Sequence, residues 1–225
     1  MCIRDSHLAT SSMDKFGEMK IILNKYKIDL KVSAIKGEEI QSFSPLKVAE
    51  SAAVNIAKTF KDRFLVEDTA LYVHSLYGFP AAYASFVCKT LGPGAILTLL
   101  EGREDAQAEF HSALVYGSNG KIRKTFVGVC EGEISRNIKG DSGFGFDSIF
   151  IPKGHKETFA EMNLIEKNKT YLDSSEGPVI IDEGAIKAIS NGKSLLPAGV
   201  KKINGSFEKG DHILVKDQNN NECAR

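Results

Sequence analysis

Hydrophobic residues recur at helical spacing twice within the first sixty positions. In TSSMDKFGEMKIILNKY, Phe16, Met19, Leu23 and Tyr26 fall on one stripe behind a run of hydroxyl residues suited to an N-cap, which predicts a helix with a polar entrance. SPLKVAESAAVNIAKTF repeats the plan: Ser44 is placed to cap, Pro45 fits the first turn, and Leu46, Ala49, Ala53, Ile56 and Phe60 share a face. FLVED is a short apolar run closed by two carboxylates, and LYVHSL alternates well enough to be its partner strand. GPGAILTLLEG reads as a short helix between glycine breaks. Over residues 107–135 the period changes to two, and Asn119-Gly120 marks a hairpin between AEFHSALVYG and IRKTFVGVCEGEIS. Helices mixed with strands and an antiparallel meander place the chain in the α/β or α+β class.

Near residues 170–178 the pattern lapses into TYLDSSEGP, a polar, turn-forming linker. Beyond it VIID, a small helix at EGAIKAIS, and the short alternating runs VKKING, GDHILVKD and NECAR suggest a small β-barrel module with one helix. The expected domains are residues 7–172 and 176–225. The opening MCIRDSH makes a poor first strand and lacks the patterns of signal and transit peptides, so residues 1–6 read as an extension foreign to the fold.

A length of 225 residues suffices for one large or two modest domains. With 29 basic and 29 acidic residues there is no global basic field for nucleic acid, which leaves only a local patch to serve that purpose. No apolar run approaches the ~18 residues needed to cross a bilayer. Cys2, Cys88, Cys130 and Cys223 form no CxxC pair, against a zinc site or a disulfide framework. The expectation is a soluble, cytoplasmic protein with no membrane partner.

Three groups of residues could carry chemistry. Thr10, Ser11 and Ser12 precede a helix whose free amides and dipole suit a phosphate, with Lys15 one turn in; hydroxyl caps alone also begin most helices. Glu38 and Glu39 precede the second helix, and Glu67 and Asp68 end FLVED, where ligands gather beyond strand ends. Alternation along a strand sends Glu67 and Asp68 to opposite faces, which argues against one shared site face. Oxygen ligands from separated segments suit magnesium, and a solvated charge cluster is the plainer alternative. Lys167 and Asn168 follow Glu166 in a polar stretch, where a lysine either neutralises phosphate or bridges a surface carboxylate. The segment SGFGFDSIF remains. It is either a glycine-marked bulge entering a core strand over residues 149–151, or a slot where a flat ring stacks on phenylalanine beside Asp147, with Phe144 and Phe146 on one side.

Taken together, ATSSMDKFGE, EEIQ, FLVEDTALYVHSLYGFPAAYASFV, CEGEI, GFGFDSIFIPKG and TFAEMNLIEKN resemble, in order and spacing, the inosine triphosphate pyrophosphatases over about residues 8–170. The resemblance implies a two-lobed mixed sheet with a central nucleotide cleft, usually as a homodimer. It also implies hydrolysis of noncanonical purine nucleoside triphosphates (ITP, dITP, XTP) to monophosphate and pyrophosphate. On that pattern Lys15 and Lys167 hold the triphosphate, with Thr10, Ser12 and Asn168 beside them. Glu39 binds Mg2+, Asp68 binds the metal or activates water, Phe144 stacks on the purine, and Phe146 and Asp147 shape the base pocket. This chain departs from the pattern where Ser11 and Ser12 replace Gly-Asn, where Ser148 replaces proline, and where Tyr171, Leu172 and Asp173 replace a base-reading Ser-His-Arg triplet. The tail resembles a PUA domain, most closely that of glutamate 5-kinases, which implies an RNA partner through Lys187, Lys193, Lys201 and Lys202. The alternative is an impaired nucleotide-binding domain joined, naturally or artificially, to an RNA-binding module.

Overall fold

The computed structural model describes residues 5–33, 35, 37–164, 166–167, 179–190, 197–203, 215–219 and 222–224. They belong to two compact units, 1–171 and 172–225. The first contains β1 (Ser6–Ala9), α1 (Met13–Lys25), β2 (Leu30–Ser33), α2 (Pro45–Thr59), β3 (Phe64–Val73), β4 (Pro80–Ala81), α3 (Ala84–Leu91), α4 (Gly94–Leu99), β5 (Gln107–Ser118), β6 (Lys121–Ile134) and β7 (Phe150–Pro152). A 3-10 turn, His74–Leu76, follows β3.

These strands make one seven-stranded mixed sheet in the order β2-β1-β3-β5-β6-β7, with β4 also on β3. β1 runs parallel to β2 and β3, and the other pairings are antiparallel. Two expectations change. FLVED and the first three residues of LYVHSL are one continuous strand, paired with β5 from Phe64 opposite Gly117 to Val73 opposite Ala108, and HSL is the 3-10 turn. No turn residue separates them, and the polar Glu67-Asp68-Thr69 step lies inside the strand rather than ending it. β1 begins at Ser6, within the segment set aside above, and Ser6 pairs with Leu30 of β2, a strand without a sequence signal of its own.

The helices cover the sheet from opposite sides, as the alternation along β3 shows. Leu65 packs with Leu8 and Leu30 under Phe16, Met19 and Leu23 of α1. Its neighbour Val66 packs with Ala49, Ala52, Ala53 and Ile56 of α2. Small residues on α2 let it lie close over Ala113 and Val115 of β5. A third core, farther along the sheet, gathers Leu71, Val73, Ile96, Phe110, Phe146, Ile149, Phe150 and Phe159. The β5–β6 hairpin turns at Asn119 and Gly120, both with positive φ (52° and 68°), as its sequence requires.

One feature of this sheet places the site. β5 occupies one edge of β3 over its whole length, so β1 and β4 share the other. β1 reaches only Leu65 and β4 begins at Leu71, so a window opens on β3 between them, over residues 66–70.

The second unit has β8 (Val179–Ile181), α5 (Glu183–Ser190), β9 (Val200–Ile203), β10 (Val215–Lys216) and β11 (Glu222–Ala224). Its described strands form a four-stranded sheet, order β11-β10-β8-β9, over a core of Ile181, Ala185 and Val215. The expected helix at EGAIKAIS is α5, capped by Asp182 Oδ1 accepting from the Ala185 amide at 2.9 Å. The linker TYLDSSEGP lies outside the described residues. Cys88, Cys130 and Cys223 are free thiols. Among the described residues no helix is long and apolar enough to cross a membrane.

Candidate active site

The polar entrance to α1 is built from its own hydroxyls. Ser12 is the N-cap and accepts from the Lys15 amide at 3.3 Å, while Thr10 Oγ1 accepts from the Ser12 amide at 3.0 Å. Both oxygens serve the backbone, which leaves the hydroxyl hydrogens to donate outward. This entrance follows directly on the end of β1, so Lys15 lies at the window.

Lys15 Nζ sits 2.8 Å from Glu67 Oε2. That oxygen makes no well-directed hydrogen bond, so the contact is an ion pair. The other oxygen, Glu67 Oε1, accepts from Ser112 at 2.9 Å and from Thr69. Glu67 therefore joins Lys15 at the window. Alternation itself holds: Glu67 lies on the α1 side with Leu65 and Asp68 on the α2 side with Val66. What differs is that β1 stops short, so a cation at the window feels both carboxylates. Burial works against the Lys15 ammonium, but Glu67, Asp68 and Glu39 together outweigh it and hold its pKa above the ordinary lysine value.

Asp68 is pushed up to about 7, chiefly by burial and further by the charges of Glu67 and Glu39, against the pull of Lys15. Its Oδ2 is buried with no hydrogen-bond partner. Glu39 is exposed on the strap between β2 and α2, close enough for its charge to reach both Lys15 and Asp68. Among the described residues no three histidine, cysteine or carboxylate side chains form a ready metal cage.

A second charge cluster lies beside the first. Lys167, only 3% exposed, places Nζ 2.6 Å from Glu18 Oε1 and 2.6 Å from Asp147 Oδ2. Its ammonium also lies over the Phe144 and Phe159 rings, 5.1 and 5.3 Å from their centroids. Asn163 and Glu166 cap each other reciprocally just before it, fixing its turn. Burial raises the Glu18 pKa, the Lys167 ammonium opposes this, and Asp147 and Glu67 add to it. Glu18 was not among the expected site residues, although its signal was available: it stands three positions after Lys15 on α1, on a neighbouring part of the same helical face.

The SGFGFDSIF segment is a turn, not a strand. The Asp147 amide donates to Phe144 O at 3.1 Å, and the Phe150 amide to Phe146 O at 3.1 Å. Strand alternation therefore does not apply, and Phe144 and Phe146 do not share a side. Phe146 is a 2% exposed core residue, whereas Phe144 is half-buried beside Lys167. Asp147 Oδ2 also accepts from the Phe144 amide at 2.9 Å. Gly143, at φ +77°, makes room for that carboxylate: a Cβ there would lie 2.3 Å from Asp147 Oδ2. The strand that follows is β7, Phe150–Pro152 rather than 149–151. Asn168, Tyr171, Leu172 and Asp173 lie outside the described residues.

Residues 6–172 match the Ham1 family and residues 177–225 the PUA domain. The chain belongs to the Ham1 family, and a PUA domain follows that family's domain. It is similar to the dITP/XTP pyrophosphatase of Saccharolobus solfataricus, at 44% identity over 162 residues, 71% of this chain and 83% of that protein. The dITP/XTP pyrophosphatase of Methanopyrus kandleri is 39% identical over 161 residues, 72% and 86% of the two chains. Among solved structures, a HAM1 protein from Coxiella burnetii superposes with a TM-score of 0.63 at 26% identity, covering 76% of this chain and 93% of that one.

Proposed function

We propose that this chain hydrolyses noncanonical purine nucleoside triphosphates, ITP, dITP and XTP, to the monophosphate and pyrophosphate. The observation that carries the reading is Asp68: a half-buried carboxylate with one buried, unpartnered oxygen, in a window that also holds Lys15 and lies within reach of the Glu39 charge. Kinship with dITP/XTP pyrophosphatases supplies the substrate class.

Lys15 and the entrance amides of α1, with the Thr10 and Ser12 hydroxyls, take the triphosphate oxygens. Asp68 accepts a proton from water as the water oxygen bonds to the α-phosphorus. The bond from that phosphorus to the α–β bridging oxygen breaks, and pyrophosphate leaves with the bridging oxygen. A nearby cation would favour the ionised form of Asp68, the form that can accept this proton. Glu39 and Asp68 fit a magnesium ion, because this hard cation takes one or two carboxylates and completes its shell with water and substrate phosphates rather than a full protein cage. When bound, magnesium supplies charge neutralisation on the phosphate oxygens.

Phe144 offers its face to the purine, and Asp147, fixed by Lys167 and the Phe144 amide, borders the base pocket. Lys167 orders that pocket through Glu18 and Asp147 and reaches phosphate when the nucleotide's charge competes for it. Asn168 is proposed as its neighbour on the phosphates. The compartment is the cytoplasm, where the nucleotide pool lies, and the assembly a homodimer. The PUA domain supports RNA contact by residues 177–225.

The test is pyrophosphate release from ITP and ATP, with magnesium and with chelator, by the chain and by Asp68→Asn. Metal-dependent release from ITP in preference to ATP, abolished in the variant, is expected. A folded chain that releases no pyrophosphate would overturn the proposal.

A further inference from the structure

The strap carrying Glu39 is fastened at both ends, and its far end is tied by a hydroxyl that the mechanism above does not use. At the near end Gly37 lies flat on α2: a Cβ there would lie 2.5 Å from the Ala52 carbonyl oxygen. At the far end the Tyr72 hydroxyl donates to Phe43 O at 2.7 Å. The Phe43 ring, otherwise 73% exposed, meets Tyr83 edge-on with centroids 5.7 Å apart. Tyr72 is itself seated. Its ring lies 4.6 Å from that of His111, whose Nε2 is 2.6 Å from Glu109 Oε2, and Glu109 Oε1 in turn is 3.1 Å from His74 Nε2.

Tyr72 stands four positions after Asp68 on β3, on the same face of the strand. One strand thus carries the half-buried carboxylate and, two steps along the same face, the hydroxyl that ties down the exposed one. An exposed loop held only by its ends loses conformational freedom when a ligand fixes it, and each prior anchor removes part of that cost.

We propose that Tyr72 is a positioning residue: its bond to Phe43 O holds the strap so that Glu39 faces Asp68 across the window before any metal arrives. This rests on Glu39 serving as a metal ligand. Tyr72 touches no reacting atom. Its effect is on how readily the site is filled and not on the bond-breaking step.

Tyr72→Phe keeps the ring on His111 and removes only the hydroxyl. Two measurements on the full chain separate the outcomes. The first is amide hydrogen exchange of residues 38–44 in metal-free protein, expected to quicken in the variant while β3 and β5 amides keep their protection. The second is the magnesium concentration for half-maximal pyrophosphate release from ITP, expected to rise by about threefold to tenfold, the factor that one net hydrogen bond gives, with kcat at saturating magnesium unchanged. Unchanged exchange overturns the anchor. Faster exchange with an unchanged magnesium requirement overturns the positioning role. If the parent chain shows no magnesium-dependent release, the reading of the site fails, while the exchange experiment still decides whether Tyr72 fastens the strap.

Discussion

Replacing Asp68 by asparagine should make the protein inactive and, above neutral pH, more stable. In the metal-free native state the Asp68 carboxyl is raised from 3.8 to about 7, chiefly by burial. The unfolded chain has no such burden, so between these two values the native state binds more protons than the unfolded state. Stability therefore falls as pH rises through this window, by about 1.4 kcal/mol per pH unit for one group. Asparagine is close in shape to the protonated acid and carries no charge at any pH. The variant should match the parent near pH 4, gain on it through neutrality, and lead by a constant margin above pH 7. From pH 5 to pH 8 the gap should widen by about 3 kcal/mol, an upper figure because water can enter the window. Urea denaturation of both proteins in chelator, at half-unit steps from pH 4.5 to 8.5, reads this directly. A gap that is the same at every pH, or a variant less stable at pH 8, would refute the claim that burial sets the ionisation of Asp68.

Phe144→Ala and Phe146→Ala should part company. The first is expected to raise KM for ITP about tenfold or more, from the ~1–3 kcal/mol of a base-stacking contact, with the melting temperature little changed. The second should cost about 3–5 kcal/mol of stability through a core cavity, read by denaturant midpoint. Lys167→Met leaves Asp147 and Glu18 without their counter-charge, an expected loss of about 3–5 kcal/mol that shrinks as pH falls and the carboxylates protonate. A loss independent of pH would count against the ion-pair account. Gly143→Ala forces a left-handed residue and a collision with Asp147, expected to cost about 1–3 kcal/mol and to raise KM for ITP more than kcat falls, as steady-state kinetics and thermal melting will show.

The parts of the fold legible in the sequence were those set by local periodicity and turn chemistry. Phe16, Met19 and Leu23 mark the packed face of α1, Ser12 and Ser44 its cap and that of α2, and Asn119-Gly120 the hairpin. β2 was not legible, because four residues at a sheet edge carry too little pattern. β3 read as two strands because a polar step at Glu67-Asp68 looks like an end unless one knows that β1 stops beside it. The same window hid the Lys15–Glu67 pair, since no spacing rule along one strand reports where its neighbour terminates. Phe144 and Phe146 were misplaced for a related reason. Gly143 just before them and Gly145 between them both have positive φ and turn the chain, and period-two logic fails wherever the backbone is not extended.

The window on β3 also bears on how the chain assembles. β5 and β6 meet through a two-residue turn and can zip early, and β3 joins that hairpin along its full length. β1 reaches β3 only across the excursion through α1, β2 and α2, the most distant pairing that β3 makes along the chain. Lys15 arrives with that late closure, whereas Glu67 and Asp68 are already laid down on the early half. Until it comes, two adjacent carboxylates face water without a cation between them. Regained turnover is therefore expected to follow the joining of β1 to β3 rather than the return of secondary structure, and refolding followed by turnover and by circular dichroism together would read the difference.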